Sequence, residues 1–326
     1  MQRILRLFVG PLFVALSWVV FASTAAAQDW PTKPIRLLLG FPPGGGADLL
    51  ARLMADKLSV GLGQPVVVEN RPGQGGAIAT EMGAKATPDG YTLLMANIGT
   101  LTLNPAIYAN YPIDPKRDIA PISRLVTYAF VIFVPSDLPA KTLPEFVAMA
   151  KARPGELNYG SSGNGGVTHI AAELFKRAAG VDIVHVPYKG SGPAMTDVAA
   201  GRLQLQIDLL AVGDPFMQSG KVRALASTSA QRSPLAPHLP TAQELGIPYT
   251  WTGWQAIVAP AGTPRPIIDR LNQEVRKALA DPDLVRKLNA QGNDVAPSSP
   301  EELSALIASD GDRMGKVIRE AGIKAD

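Results

Sequence analysis

Two stretches of this 326-residue chain place glycines where a helix is about to begin: GFPPGGGADLLAR at 40–52 and YGSSGNGGVTH at 159–169. The first turn of a helix has unpaired backbone N–H groups and the positive end of the macrodipole, so it can hold an anion without a charged side chain. Glycine there removes the side chains that would keep a ligand away from the backbone. The plainer reading, that the glycines only make tight turns, is weaker for two such loops than for one. Neither loop is a nucleotide motif, because the first lacks the Lys-Ser/Thr ending of a P-loop and no stretch fits G-x-G-x-x-G.

The side chains around these loops offer fewer chemical options. Asp48 is expected to N-cap the first helix and Thr168 the second. Ser161 and Ser162 beside His169 raise serine catalysis, but the G-x-S-x-G elbow fails: Asn164 takes the last glycine position when Ser162 is centred, and Tyr159 the first when Ser161 is. A triad would also need a base and an orienter, with only His169, His185 and His238 available. His169 is the histidine expected at the cleft, with a local structural role as the alternative; His185 sits in a strand pattern and His238 in a proline-rich loop. No H-E-x-x-H or comparable spacing supports a metal, so no metal, cofactor or catalytic residue is expected. Lys189 could pair with a ligand carboxylate, although a solvated turn lysine is the commoner outcome. Asp208 ends an apolar strand at the edge where open α/β sheets place their ligand crevice.

The elements that must position these residues follow a βαβ cadence. Strands are expected at Ile35–Leu39, Val66–Val68, Tyr91–Met95, Phe130–Val134, Leu157–Tyr159, Ile183–Val186, Leu203–Ile207 and Val222–Ala226. Helices are expected at 48–60, 75–86, 143–152 and 168–179, with another starting within 186–201. Toward the end come two helices in 263–292 punctuated by Asp281-Pro282, and a third at 300–321 capped from Pro297-Ser298-Ser299. A weak internal echo joins the glycine loops: each runs strand, glycine turn, helix, and Leu49, Leu50, Leu53 and Met54 are matched by Ile170, Ala171, Leu174 and Phe175. Two glycine loops could thus face each other from two lobes.

The first residues read as an export signal: Arg3 and Arg6, an apolar run from Leu7 to Phe21, and Ala25-Ala26-Ala27 before a cut at Gln28. A membrane anchor is the rival reading, but the run is shorter than the ~20 residues that span a bilayer. The remaining 28–326 suffices for two lobes with real cores. Loss of the two arginines takes the formal net charge from +3 to +1, too little for a nucleic-acid binder. Cysteine is absent, which excludes thiolate metal sites, redox dithiols and cysteine nucleophiles and leaves the fold without disulfides.

The chain resembles the Bug (TctC-like) extracytoplasmic solute receptors of tripartite tricarboxylate transporters. The likeness runs from the signal to the last helix through PIRLLLGFPPGGGADLLAR, VVVENRPGQGGAIA, ATPDGYTLLMAN, LNYGSSGNGGVTH, VPYKGSGPAMTDVAAG, GKVRALAST, APAGTPRPIIDRLNQEV and SSPEELSALIASDGDRMGKVIREAGIK. It implies a two-lobed α/β fold of the type II periplasmic-binding-protein (Venus flytrap) kind, each lobe a mixed sheet flanked by helices, with the ligand cleft between them. Residues 1–27 would be the signal peptide, 28–127 with 249–326 lobe one, and 128–248 lobe two. The implied protein is a periplasmic monomer that closes on a small carboxylate and delivers it to transmembrane permease subunits, with no cofactor. A ligand sensor for a membrane signalling partner, and more remotely a secreted serine hydrolase, are the alternatives.

In such receptors backbone amides of the two loops grip one carboxylate. Carried over, this implies Pro43, Gly44, Gly45 and Asp48 in the first loop and Ser161, Ser162, Gly163, Thr168 and His169 in the second. Phe41, Asn97, Lys189, Asp208 and Phe130 complete the expected set. At the far end the sequence departs from its relatives: Ala129-Phe130 stands where Pro-Asn is common, and Leu209 where Asn is frequent. Both exchange polar for apolar groups, so the distal pocket is expected to suit an aromatic or long-chain mono- or dicarboxylate, with Asp208 as a hydrogen-bond acceptor.

Overall fold

The computed structural model describes residues 30–233 and 236–323; the expected signal peptide lies outside them. In chain order the elements are β1 (Ile35–Leu39), α1 (Gly46–Leu62), β2 (Val66–Asn70), α2 (Ala77–Ala84), β3 (Thr92–Asn97), α3 (Asn104–Ile107), β4 (Ile119–Pro135), α4 (Leu143–Ala152), β5 (Asn158–Ser161), α5 (Val167–Ala179), β6 (Val184–Pro187), α6 (Ser191–Ala199), β7 (Leu205–Leu209), α7 (Leu210–Gln218), β8 (Val222–Ser227), β9 (Thr252–Pro260), α8 (Arg265–Leu279), α9 (Pro282–Asn289), β10 (Asp294–Val295) and α10 (Pro300–Glu320). No described helix is long and apolar enough to cross a membrane.

The strands run in the order β2-β1-β3-β9-β4-β7-β5-β6, with β8 and β10 also paired to β4. β1, β2 and β3 are parallel, as are β5, β6 and β7. Each parallel trio is built of strand, crossover helix and strand, the connection that parallel pairing requires. Antiparallel β4 joins the trios: its first part, Ile119 to Ala129, pairs with β9, and its last part, Phe130 to Pro135, pairs with β7 and β8. The chain therefore changes from one half-sheet to the other between Ala129 and Phe130, giving a two-lobed α/β fold with a mixed sheet in each lobe.

Thr228 ties this crossing to the returning chain. Its hydroxyl accepts from the Phe130 N–H at 3.0 Å and lies 2.5 Å from the Trp251 carbonyl. The Thr228 N–H donates to Phe130 O, and the Trp251 N–H donates to Thr228 O. All four bonds are inside the protein, where an unmade hydrogen bond is costly, so the two crossings are held in register.

Local signals explain most of the elements. In α1, Leu50, Ala51, Met54, Ala55, Leu58 and Leu62 are buried at helical spacing, and the helix ends at Gly63 in the left-handed region, φ 69°, whose N–H donates to Ser59 O. Asp281 caps α9 by accepting from the N–H groups of Asp283 and Leu284. Ser299 and Glu302 form a reciprocal capping box at α10. Two expectations are corrected at the helices that matter most: the N-cap of α1 is Gly45, not Asp48, and that of α5 is Gly166, not Thr168. In both cases the glycine turn feeds the helix earlier than the nearest capping side chain, leaving that side chain inside the first turn.

Candidate functional site

A cavity of about 390 Å³ opens between the two half-sheets. Its walls include Gly46 and Ala47, the first two residues of α1, and Val167 and Thr168, the first two of α5. Neither helix start carries a side-chain cap. Two positive helix ends, one from each lobe, thus border one cavity with their first N–H groups uncovered, which is the arrangement that holds an anion through backbone donors alone.

The loop side chains brace these helix starts from behind. Asp48 is buried and accepts from the Gly44 N–H at 3.0 Å, from Asn70 Nδ2 at 2.8 Å and from Arg52 Nε at 2.9 Å. The Arg52 guanidinium and these hydrogen bonds hold its carboxyl down to about 2 against the cost of burial. The negative charge at α1 is therefore paired with Arg52, and neither residue lines the cavity. At α5, Thr168 Oγ1 accepts from the Ser162 N–H at 2.8 Å and is bonded to Ser162 Oγ. Ser161 is fully buried; its Oγ lies 2.6 Å from His185 Nε2 and accepts from the Gly163 N–H. His169 Nδ1 accepts from the Gly165 N–H at 3.0 Å.

Five of the expected site residues, Phe41, Asn97, Phe130, Thr168 and Asp208, line the cavity. Pro43, Gly44 and Gly45 are exposed and lie just before the lining residues of their loop. Asp48, Ser161, Ser162, Gly163 and His169 fall outside the lining and shape the loops instead. Lys189 is an exposed turn residue. The serine alternative is also corrected: the histidine bonded to Ser161 is His185, not His169, a serine with no exposed surface cannot reach a substrate to attack it, and Ser162 Oγ is bonded to Thr168 Oγ1.

Phe130, Val131, Leu209, Leu210 and Leu239 are apolar members of the lining. Phe130 is 3% exposed and leans on Tyr128 and Trp251, with centroids at 5.8 and 6.2 Å. Asp208 is the one charged side chain among the described lining residues. It accepts from Gln206 Nε2 at 2.7 Å and from the Leu209 N–H at 2.8 Å, and burial outweighs these bonds and raises its pKa. Gln255, Ser191 and Tyr128 also line the cavity and went unread in the sequence. Gln255 had a signal: it is the polar residue in the otherwise apolar run WQAIVAP.

Residues 50–323 match the family model described as tripartite tricarboxylate transporter family receptor. Among solved structures, the chain is similar to Rpa4515 of R. palustris with adipate, at 38% identity and a TM-score of 0.75, covering 91% of this chain and 99% of that one. It is similar to MatC from Rhodopseudomonas palustris with bound malate, at 31% identity and a TM-score of 0.71, covering 88% and 99%. It also resembles the periplasmic binding protein BugD, at 31% identity and a TM-score of 0.71, covering 91% and 100%.

Proposed function

Because the chain belongs to the tripartite tricarboxylate transporter receptor family, a family of periplasmic solute-binding proteins, we propose that it captures a carboxylated small molecule between its lobes and delivers it to membrane permease subunits. The observation that carries this reading is the meeting of two helix starts without side-chain caps on one cavity. A carboxylate taken out of water needs several convergent donors, and the first turns of α1 and α5 supply them without an arginine. Adipate and malate in the related structures support the carboxylate class.

The solute carries an aromatic or long aliphatic body, because Phe130, Val131, Leu209, Leu210 and Leu239 give the lining much of its apolar surface. Lobe one comprises 28–127 and 249–326 and lobe two 128–248, with 1–27 removed on export. The two lobes close around the solute because only the closed form lets both helix starts touch it. The protein acts as a monomer and without turnover or cofactor.

Titration calorimetry against terephthalate, benzoate, adipate, citrate and glutamate tests this. Binding of at least one of the first three, with weaker binding of citrate and glutamate, is expected. Tight binding of citrate or glutamate with none of the first three would refute the apolar-bodied solute, and no binding of any carboxylate would refute the class.

A further inference from the structure

On the half-sheet formed by β3, β9 and the first part of β4, three polar side chains line the cavity and keep an open donor there. Tyr128 of β4 has Gly253 of β9 as its register partner, and a Cβ built on Gly253 would lie 2.6 Å from the Tyr128 hydroxyl. The ring therefore lies across β9, in the space that a side chain at 253 would fill. Among the described residues the hydroxyl has no hydrogen-bond partner, yet it is not sealed from the cavity. Burial pushes the phenol up to about 12, so it holds the proton that it donates.

Gln255 and Asn97 stand on the same face as Gly253. Gln255 follows Gly253 by two residues, about 6.5–7 Å along the strand. It is the register partner of Asn97, and such pairing brings Cβ atoms to about 4.5–5.5 Å. The oxygens of both amides are out of play: Asn97 Oδ1 accepts from the Thr100 N–H at 2.9 Å, and Gln255 Oε1 is fully buried. Each turns its NH2 to the cavity, and neither NH2 has a partner among the described residues. A donor shut away from water without an acceptor is costly, so three side by side imply that their acceptor arrives with the solute.

Resting on the carboxylate reading, we infer that Tyr128, Gln255 and Asn97 form a donor floor that reads a carbonyl oxygen on the body of the solute. The preferred class is an oxo-substituted carboxylate. A carbonyl accepts through two lone pairs, whereas a methylene in its place leaves the donors unpaired. A second carboxylate accepts as well, but it carries a charge into a lining whose described residues include no lysine or arginine and one acid, Asp208.

Calorimetry on the mature chain tests this with pairs in which C=O replaces CH2: 3- and 4-acetylbenzoate against the ethylbenzoates, and 4- and 5-oxohexanoate against hexanoate. Terephthalate and adipate supply the second carboxylate. At least one oxo compound is expected to bind about tenfold or more tightly than its methylene analogue and more tightly than either dicarboxylate. Tyr128→Phe and Gln255→Leu should each reduce that gap to about threefold or less. The Tyr128 hydroxyl makes no bond within the protein, so Tyr128→Phe should leave the melting temperature unchanged. Oxo and methylene members binding equally, a preference that survives either variant, or a dicarboxylate outbinding every oxo compound overturns the inference and leaves carboxylate capture intact. Failure of every compound to bind overturns both.

Discussion

His169 and His185 stack face to face, with ring centroids 3.8 Å apart and 14° between their planes, and each ring secures the same glycine loop. His169 Nδ1 accepts from Gly165 and His185 Nε2 meets Ser161 Oγ. Tyr159 stacks on His185, and Glu173, itself bonded to Tyr159 and Lys176, is the nearby charge favouring protonation. Burial lowers both histidines, and the His169 charge adds to it at His185, which is brought down from 6.5 to about 4.

These shifts set a pH dependence. Both rings are neutral in the folded protein, while the unfolded chain takes up protons from about pH 6.5, so stability is full above that value and declines as pH falls toward about 4. A protonated His169 Nδ1 also cannot accept from Gly165, so carboxylate affinity should fall in the same window. Urea midpoints measured from pH 7.5 to 4 check this, and the decline should be shallower in His185→Phe. An identical slope in both proteins would contradict the assignment.

The glycines at the two helix starts should respond differently to substitution. A Cβ at Gly46 meets nothing within 4 Å, and Gly46 borders the cavity. Gly46→Val should therefore leave the melting temperature nearly unchanged and weaken carboxylate binding by about tenfold or more, since bulk now occupies the backbone's approach. Gly163 has φ +137° and a prospective Cβ 3.4 Å from Tyr188 O. Gly163→Val should cost about 1–3 kcal/mol of stability as well as affinity. Calorimetry alongside thermal melts separates the two outcomes.

Asp48→Ala should act through the loop. It strips the acceptor from the Gly44 N–H and Asn70 Nδ2, with an expected loss of about 1–3 kcal/mol. Because the native carboxyl is held near 2 instead of 3.8, its contribution is present above about pH 4 and disappears as pH falls toward 2. Denaturant melts of native and variant protein at pH 7 and pH 2.5 should converge at the lower pH.

The frame of the site was legible because both glycine turns announce helix starts in sequence alone, and β1 and α4 appear at the expected residues, Ile35–Leu39 and 143–152. What escaped depended on contacts distant in sequence. β9 went unread because its Gly253 and Pro260 interrupt the strand pattern, and its pairing with β3 and β4 supplies the order that local propensity does not. β4 begins at Ile119, well before its apolar run, because β9 pairs with its first half. The roles of Asp48 and His169 turned on partners, Arg52 and Gly165, that lie one helical turn away in sequence yet decide which side of the loop each side chain serves.

Thr228 is where the lobe crossing should be most sensitive. Thr228→Val keeps the shape but leaves the Phe130 N–H without its hydroxyl acceptor, so a loss of about 1–3 kcal/mol is expected. If the crossing governs closure, small-angle scattering should also show a smaller compaction of the variant on adding ligand.

The central claim, that paired helix starts hold the solute's carboxylate, is tested most directly by a crystal structure with adipate. Carboxylate oxygens within hydrogen-bond distance of backbone N–H groups at Gly46 or Ala47 and at Val167 or Thr168 are predicted. A carboxylate seated elsewhere, with both glycine turns facing open solvent, would contradict it.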